Sequence, residues 1–148
     1  MEGRKALEEL AASHRLPGCA VDIMGIAEVL GFAVERADLG LDVIARLTID
    51  PEAGEKVIAV NEHYSDEEQR LGIAHELVVG IESPDETLCH SYRGTASEMR
   101  GDAFGRACAL MIPEADGDIL SLAGKYMVPL EAATRRLRGK RKGIRTAG

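Results

Sequence analysis

The residues best suited to chemistry in this chain are His75 and Glu76, in the segment LGIAHELVVG over residues 71–80. A helix with the pattern His-Glu-x-x-His can bind zinc through both imidazoles, because residues four apart lie one above the other. The glutamate then sits beside the metal-bound water as a general base. Here the second histidine position is Val79, whose side chain has no donor atom. The segment therefore offers one imidazole and one carboxylate, and a metal site needs ligands from elsewhere.

Helical patterns surround this segment. Ser65 and Glu68 form a capping box that predicts a helix through His75 to about residue 81. Thr95 and Glu98 form a second box, which predicts one helix running through residues 104–112 to Pro113. Further helices are predicted for residues 2–13, for IMGIAEVL after the cap Asp22, and for DILSLAGKYM and PLEAATRRLRG.

Three segments have strand character, and each is short and rich in β-branched residues: FAVER (32–36), VIARLTI (43–49) and KVIAVNE (56–62). The last two flank a connection of hairpin length. Residues 83–94 contain turn residues without a period and predict a loop. The order of helices, strands and helices predicts an α+β fold, a single domain with several helices packed on a small antiparallel sheet.

Length and composition agree with one domain, since 148 residues with 45% hydrophobic content suit a single core. Three cysteines are too few and too scattered for a disulfide framework, which favours a reducing compartment. Neither a signal-peptide core nor an apolar run long enough to span a membrane is present. We therefore expect a cytoplasmic protein without membrane contact.

The charge is unevenly distributed along the chain. Residues 135–148 hold seven of the 18 basic residues and no acid, whereas residues 1–134 carry 11 basic and 25 acidic residues, a charge of −14. We expect a domain over residues 1–134 and a basic tail over residues 135–148. An acidic body repels nucleic acid, so contact with nucleic acid or an acidic partner is expected only through the tail, at Arg138, Lys140, Arg141 and Lys142.

Four segments, in order, resemble the ImmA/IrrE family of metallopeptidases, whose domain is zincin-like. The segments are VDIMGIAEVLGFAV, KVIAVNEHYSDEEQRLGIAHEL, SEMRGDAFGRACALMIPE and ILSLAGKYMVPLEAATRRL. They match the family's entry helix, its strand leading into the active-site helix, its glutamate-bearing helix and its last helical pair. The resemblance covers nearly the whole chain.

The resemblance implies zinc ligands at His75, position 79 and Glu98, and Glu76 as general base when metal is bound. It predicts that the helices with His75 and Glu98 pack together, so that both residues and Val79 converge on one cleft. With Val79 in place of a histidine the site is incomplete, and zinc is expected to be weakly bound or absent. Cys89 and His90, between the two ligand-bearing segments, are the candidate substitute ligands.

Three functions follow from these observations. The first is a degenerate peptidase domain, a pseudoenzyme that binds a protein. By resemblance its partner is a helix-turn-helix repressor, and its setting is transcriptional regulation in a phage, mobile-element or stress system. The second is an active zinc endopeptidase that cleaves such a repressor, with Cys89 or His90 as third ligand. The third is a nucleic-acid-associated protein that acts through its basic tail.

Overall fold

A computed structural model describes residues 2–83 and 85–147, and within them every side chain except those of Glu2, Arg4 and residues 139–147. These residues form seven helices and four strands: α1 (Glu2–Ser13), α2 (Ile23–Val29), β1 (Ala33–Ala37), β2 (Ala45–Asp50), β3 (Glu55–Asn61), α3 (Asp66–Glu82), β4 (Leu88–Tyr92), α4 (Ala96–Met99), α5 (Asp102–Met111), α6 (Ile119–Tyr126) and α7 (Leu130–Ala147). The α+β class is confirmed. None of the helices described is both long and apolar enough to cross a membrane.

The sheet is mixed, with strand order β1-β3-β2-β4. Strands β2 and β3 form the predicted hairpin, and β4 lies antiparallel on the other side of β2. Strand β1 pairs with the second strand of the hairpin, so that Val34 lies opposite Ile58 and the two strands run in the same direction. The expectation of a purely antiparallel sheet is therefore wrong for this pair, because β1 skips its sequence neighbour β2.

Strand β4 corrects the prediction that residues 83–94 are a loop. It pairs with β2 from Leu88 to Tyr92, and His90 lies opposite Leu47. The segment has a period of two in side-chain size: Leu88, His90 and Tyr92 alternate with the smaller Cys89 and Ser91, as in a strand with one face against the protein. This alternation is only five residues long, and the pairing partner lies about 40 residues earlier in the chain.

Helix α3 is the central element of the fold. Ser65 begins it by accepting a hydrogen bond from the Glu68 backbone N–H at 3.2 Å, as predicted. Most of its residues from 69 to 80 are buried, between the sheet and helices α1, α2 and α5. Gly72 permits this close approach, since a Cβ there would lie 3.0 Å from that of Ala45.

The helix predicted to begin at Thr95 is two helices. The one-turn helix α4 ends at Met99, with Arg100 as its C-cap, and Gly101 has an extended conformation before α5 begins. Glycine is a poor helix former, and the break exposes backbone carbonyls that need donors. Arg135 supplies them, donating to Met99 O at 2.6 Å and Gly101 O at 3.1 Å. The cap prediction holds, but the prediction of one continuous helix is wrong.

Helix α7 crosses the boundary proposed between residues 134 and 135. Its basic residues Arg135 and Arg136 belong to the packed domain. Arg136 donates from Nε to Ile112 O at 2.8 Å and from Nη2 to Pro113 O at 3.3 Å. Two of the seven basic residues of the tail therefore tie α7 to α4 and α5.

Candidate functional site

Helix α3 brings His75 and Glu76 into the interior. Their exposed fractions are 3% and 0%. The imidazole of His75 stacks on the ring of Tyr92 from β4, with ring centroids 4.3 Å apart. Because the middle of α3 is buried against both the sheet and α5, polar groups there must find partners inside the protein.

Strand β4 supplies the main partner. Successive side chains of a strand point to opposite faces, so Cys89 and His90 are separated: Cys89 is exposed to solvent, whereas His90 faces α3. Nδ1 of His90 lies 2.7 Å from Oε1 of Glu76, and the rings of His90 and His75 are stacked with centroids 5.8 Å apart. Of the two proposed substitute ligands, only His90 joins the α3 residues.

The carboxylate of Glu76 has two unlike oxygens. Oε1 lies close to both imidazoles, since it is also 3.3 Å from Nδ1 of His75. Oε2 is buried and has no hydrogen-bond partner among the described residues. The hydrogen bond to Glu76 raises the pKa of His90, and the charges of Glu76 and Glu98 act in the same direction against the effect of burial. His90 is therefore biased toward imidazolium, which offsets the buried carboxylate.

These three residues form a group that could hold a metal ion. One donor atom each from His75, Glu76 and His90 lie within 4.8 Å of one another. Two imidazoles and a carboxylate are a donor set that zinc accepts, and three protein ligands leave a fourth position open. The partnerless Oε2 of Glu76 fits such an ion. When bound, zinc would supply Lewis-acid activation of water, and the residues holding it would include Glu76, the residue that the resemblance assigns as base.

Glu98 lies outside that group. Oε1 accepts hydrogen bonds from Arg93 N and Thr95 N, both at 3.0 Å, and from Thr95 Oγ1 at 3.2 Å. Thr95 Oγ1 in turn accepts from the Glu98 backbone N–H, which completes the capping box of α4. The Glu98 carboxylate is thus hydrogen-bonded within its own segment. Its charge is nevertheless close enough to His90 to raise the pKa of that histidine.

The comparison with known families decides the class of this domain. A family model described as the IrrE N-terminal-like domain of peptidase family M78 matches residues 27–138, well over half of the chain. The chain belongs to the IrrE N-terminal-like family. No curated protein sequence matches it. Membership confirms the resemblance inferred from the four segments and places the domain in a metallopeptidase-like family.

Within this IrrE-like domain, Val79 occupies the second-histidine position of the motif on α3. Its side chain is half-buried and packs against the hydrophobic core. Valine cannot ligate a metal, so the i, i+4 pair of imidazoles on α3 is missing. The nearest equivalent is His90, which reaches His75 from the sheet and not from the same helix.

The predicted contact residues of the tail are only partly described. Arg138 is exposed on α7. The side chains of Lys140, Arg141 and Lys142 lie outside the described residues, and the backbone there continues α7 to Ala147. These positions remain a prediction.

Two features of the site were missed by sequence reasoning. Tyr92 stacks on His75, and burial raises the pKa of its phenol far above the usual range. Glu76 belongs to the metal-capable group itself, whereas the resemblance gives it the role of a base beside the metal. The signal that could have found both was the alternation of Leu88, His90 and Tyr92, because a strand there places His90 and Tyr92 on one face.

Proposed function

We propose that this protein is a catalytically impaired member of the IrrE N-terminal-like family and acts as a protein-binding regulatory module. The observation that supports this most is that, at the positions other than His75 to which the resemblance assigns peptidase roles, the side chains either lack a donor atom or are engaged in hydrogen bonds within the protein. Val79 offers no donor, and Glu98 accepts its hydrogen bonds from Arg93 and Thr95. Glu76 is paired with His90 at 2.7 Å. Of the ligand set implied by resemblance, His75 is left without a second strong ligand.

The pairing of Glu76 also argues against efficient water activation. A general base must lie within hydrogen-bond reach of the proton that it removes. Here the oxygen that faces the two imidazoles accepts a hydrogen bond from an imidazole biased toward the charged form. That oxygen is therefore not free to accept a proton from a water molecule.

For the partner we propose a helix-turn-helix repressor, in a phage, mobile-element or stress-response system, as family resemblance implies. An acidic body makes direct nucleic-acid binding the least favoured function, because a charge of −14 over residues 1–134 repels phosphate. Any contact with nucleic acid is expected at the basic end of α7, from Arg138 onward.

One observation favours a second candidate, an active zinc endopeptidase. The buried Oε2 of Glu76 has no partner among the described residues, and buried polar atoms are nearly always satisfied. A zinc ion held by His75, Glu76 and His90 would satisfy it. In that case His90 is the substitute ligand, and the exposed Cys89 has no part in the site.

Peptide hydrolysis separates the two candidates. The substrates are a purified helix-turn-helix repressor and a quenched fluorescent peptide mixture, each incubated with added zinc. We expect wild type to leave the repressor intact. Its rate of peptide hydrolysis should equal that of Glu76→Gln, an isosteric control that lacks the carboxylate. Hydrolysis by wild type that is abolished in both Glu76→Gln and His90→Ala would reject the impaired-enzyme proposal in favour of the active peptidase.

A further inference from the structure

A cavity lies away from the His75 group, between α1, α3, α5 and α7. Its volume is about 660 Å³, which is within the range of small-molecule sites. The family match begins at residue 27, so the wall made by α1 lies outside the matched domain. None of the residues that line the cavity belongs to the metal-capable group.

The walls of the cavity are apolar on three sides. Helix α1 contributes Leu7 and Ala11, α3 contributes Val78 and Ile81, and α5 contributes Leu110. Two further wall residues, Ala12 and Ala109, are small and exposed. A cavity of this kind favours a ligand with an apolar body, because each apolar surface removed from water contributes to binding.

The charges at the rim are of two kinds. Arg106 forms ion pairs with the carboxylates of Glu82 and Asp102. Arg15 and Arg136 are instead held by backbone carbonyls. Arg15 donates from Nε to Ala11 O at 2.6 Å and from Nη1 to Cys19 O at 3.0 Å.

Arg136 is fixed in the same way, from Nε and Nη2 to the carbonyls of residues 112 and 113. A carbonyl oxygen is neutral and leaves the positive charge in place. Each guanidinium also keeps a nitrogen that these bonds do not use, Nη2 of Arg15 and Nη1 of Arg136. The lining therefore includes two cations held by neutral carbonyls, and Glu8 is an exposed acid of the same lining.

We propose that this cavity binds a small amphipathic anion, with an apolar body between α1, α3 and α5 and one carboxylate-type or sulfonate-type head at Arg15 and Arg136. Guanidinium groups are well suited to such heads because their planar donors match two acceptor oxygens. The site is independent of the proposed function, since it uses neither His75, Glu76 nor His90.

A matched pair of fluorescent probes tests the charge requirement. Anilinonaphthalene sulfonate and neutral phenylnaphthylamine share the same aromatic body and differ in the sulfonate. With the full chain we expect saturable binding of one sulfonate probe per chain, about tenfold tighter than the neutral probe, because the head gains hydrogen bonds to charged donors. Equal affinity for the two probes, or no saturable binding of the sulfonate, would overturn the proposal.

Variants of the lining locate the probe. Ala109→Trp fills the cavity from α5 and should abolish saturable binding, whereas Ala53→Trp, at an exposed turn between β2 and β3, should not change it. Arg136→Gln should weaken the sulfonate probe about tenfold and Glu8→Gln should strengthen it about twofold. Circular dichroism verifies folding of each variant, and the Glu8 variant tests the charge argument without removing a structural bond.

Two results would contradict the assignment. If Ala109→Trp binds the sulfonate probe as wild type does, the probe lies elsewhere and the cavity is not the site. If sedimentation shows a dimer of wild type that Ala109→Trp dissociates, a second copy of the chain covers the cavity. Either result replaces the small-anion proposal.

Discussion

The α3–β4 contact and the cap of α4 each hold one glutamate, and the two carboxylates differ in how they are satisfied. Glu76 is fully buried and depends on His90 from another element, with Oε2 left without a partner among the described residues. Glu98 is half-buried and takes its hydrogen bonds from Arg93 and Thr95, within five residues of itself. The first therefore needs the tertiary fold, and the second is satisfied locally.

This difference bears on which glutamate can take part in a site. A carboxylate that already accepts several hydrogen bonds in its own capping box must give some of them up to bind a metal ion, so metal binding stabilises it less. A buried carboxylate with an unpaired oxygen requires a proton, a water or a cation. In this chain the acid assigned as a ligand by resemblance is the satisfied one, and the acid assigned as base is the one in need of a partner.

The largest effect is expected from His90→Ala. Removing this partner leaves the buried Glu76 without its charge partner, and breaking a buried pair in this way costs several kcal/mol. Because His90 is itself about one third exposed, we expect a loss of about 2–3 kcal/mol in the free energy of unfolding, measured by urea denaturation with chelator present.

A matched variant tests whether charge is the cause of that loss. His90→Ala combined with Glu76→Gln removes the buried charge as well and should recover more than half of the loss. If the double variant is less stable than His90→Ala alone, packing of the imidazole explains the effect and not its charge.

Restoring the motif with Val79→His should produce the next largest effect. A second imidazole at i+4 allows zinc to bind His75 and the new side chain together. Zinc at a hundredfold excess over its dissociation constant would then stabilise the fold by about 2.7 kcal/mol, measured as a zinc-dependent shift in melting temperature. Val79→Leu is the control, and an equal response to zinc in wild type and Val79→His would contradict the degenerate-site interpretation.

Second substitutions added to Val79→His test whether zinc binding depends on the Glu98 region or on the Glu76–His90 contact. We expect the zinc response of Val79→His to survive Glu98→Gln and to fall sharply with His90→Ala, because His90 already lies beside His75 and Glu98 is held by its cap. If Glu98→Gln abolishes the zinc response and His90→Ala leaves it unchanged, Glu98 is a zinc ligand and its capping hydrogen bonds break when the metal binds.

A smaller effect is expected from the cap itself. Thr95→Ala removes the hydroxyl that accepts from the Glu98 backbone N–H, and losing such a cap costs about 1 kcal/mol. Denaturation should report this loss, and the pKa of His90 should move little. Ser97→Ala on the same helix turn, away from the capping contacts, is the control, and an equal loss in both would refute the capping role.

The smallest effect concerns pH. The hydrogen bond to Glu76 raises the pKa of His90 above its ordinary value of about 6.5, while Glu98 adds to the shift and His75 stacks beside it. Stability from this pair is fully present below pH 6.5 and is lost as pH rises through the raised pKa. Nuclear magnetic resonance titration of His90, with chelator present, should show the upward shift, and Glu76→Gln should remove most of it. A pKa at or below 6.5 in wild type would contradict the pairing.

Local features were predictable from sequence, and long-range ones were not. The caps at Asp22, Ser65 and Thr95 and the β2–β3 hairpin follow from residues within a few positions of each other. The break at Gly101 depends on Arg135, which lies 34 residues further along the chain and satisfies the exposed carbonyls. A helix pattern alone cannot reveal such compensation.

The candidate site also combines residues that the local sequence predicts with one that depends on a long-range contact. His75 and Glu76 were identifiable because their motif lies within one helix turn. His90 became part of the group only through β4, a five-residue strand whose pairing with β2 spans about 40 residues. The sequence left Cys89 and His90 as equal alternatives, and the strand separates them by placing one in solvent and the other against α3.

In the resting protein we expect protein contacts, and not zinc, to hold Glu76 and Glu98. Elemental analysis of wild type purified without added metal tests this most directly, with Val79→His prepared in parallel. Our prediction is far less than one zinc per wild-type chain and a clear increase in the variant. One zinc per wild-type chain, lost in His90→Ala and retained in Cys89→Ser, would contradict it and establish His75, Glu76 and His90 as a working metal site.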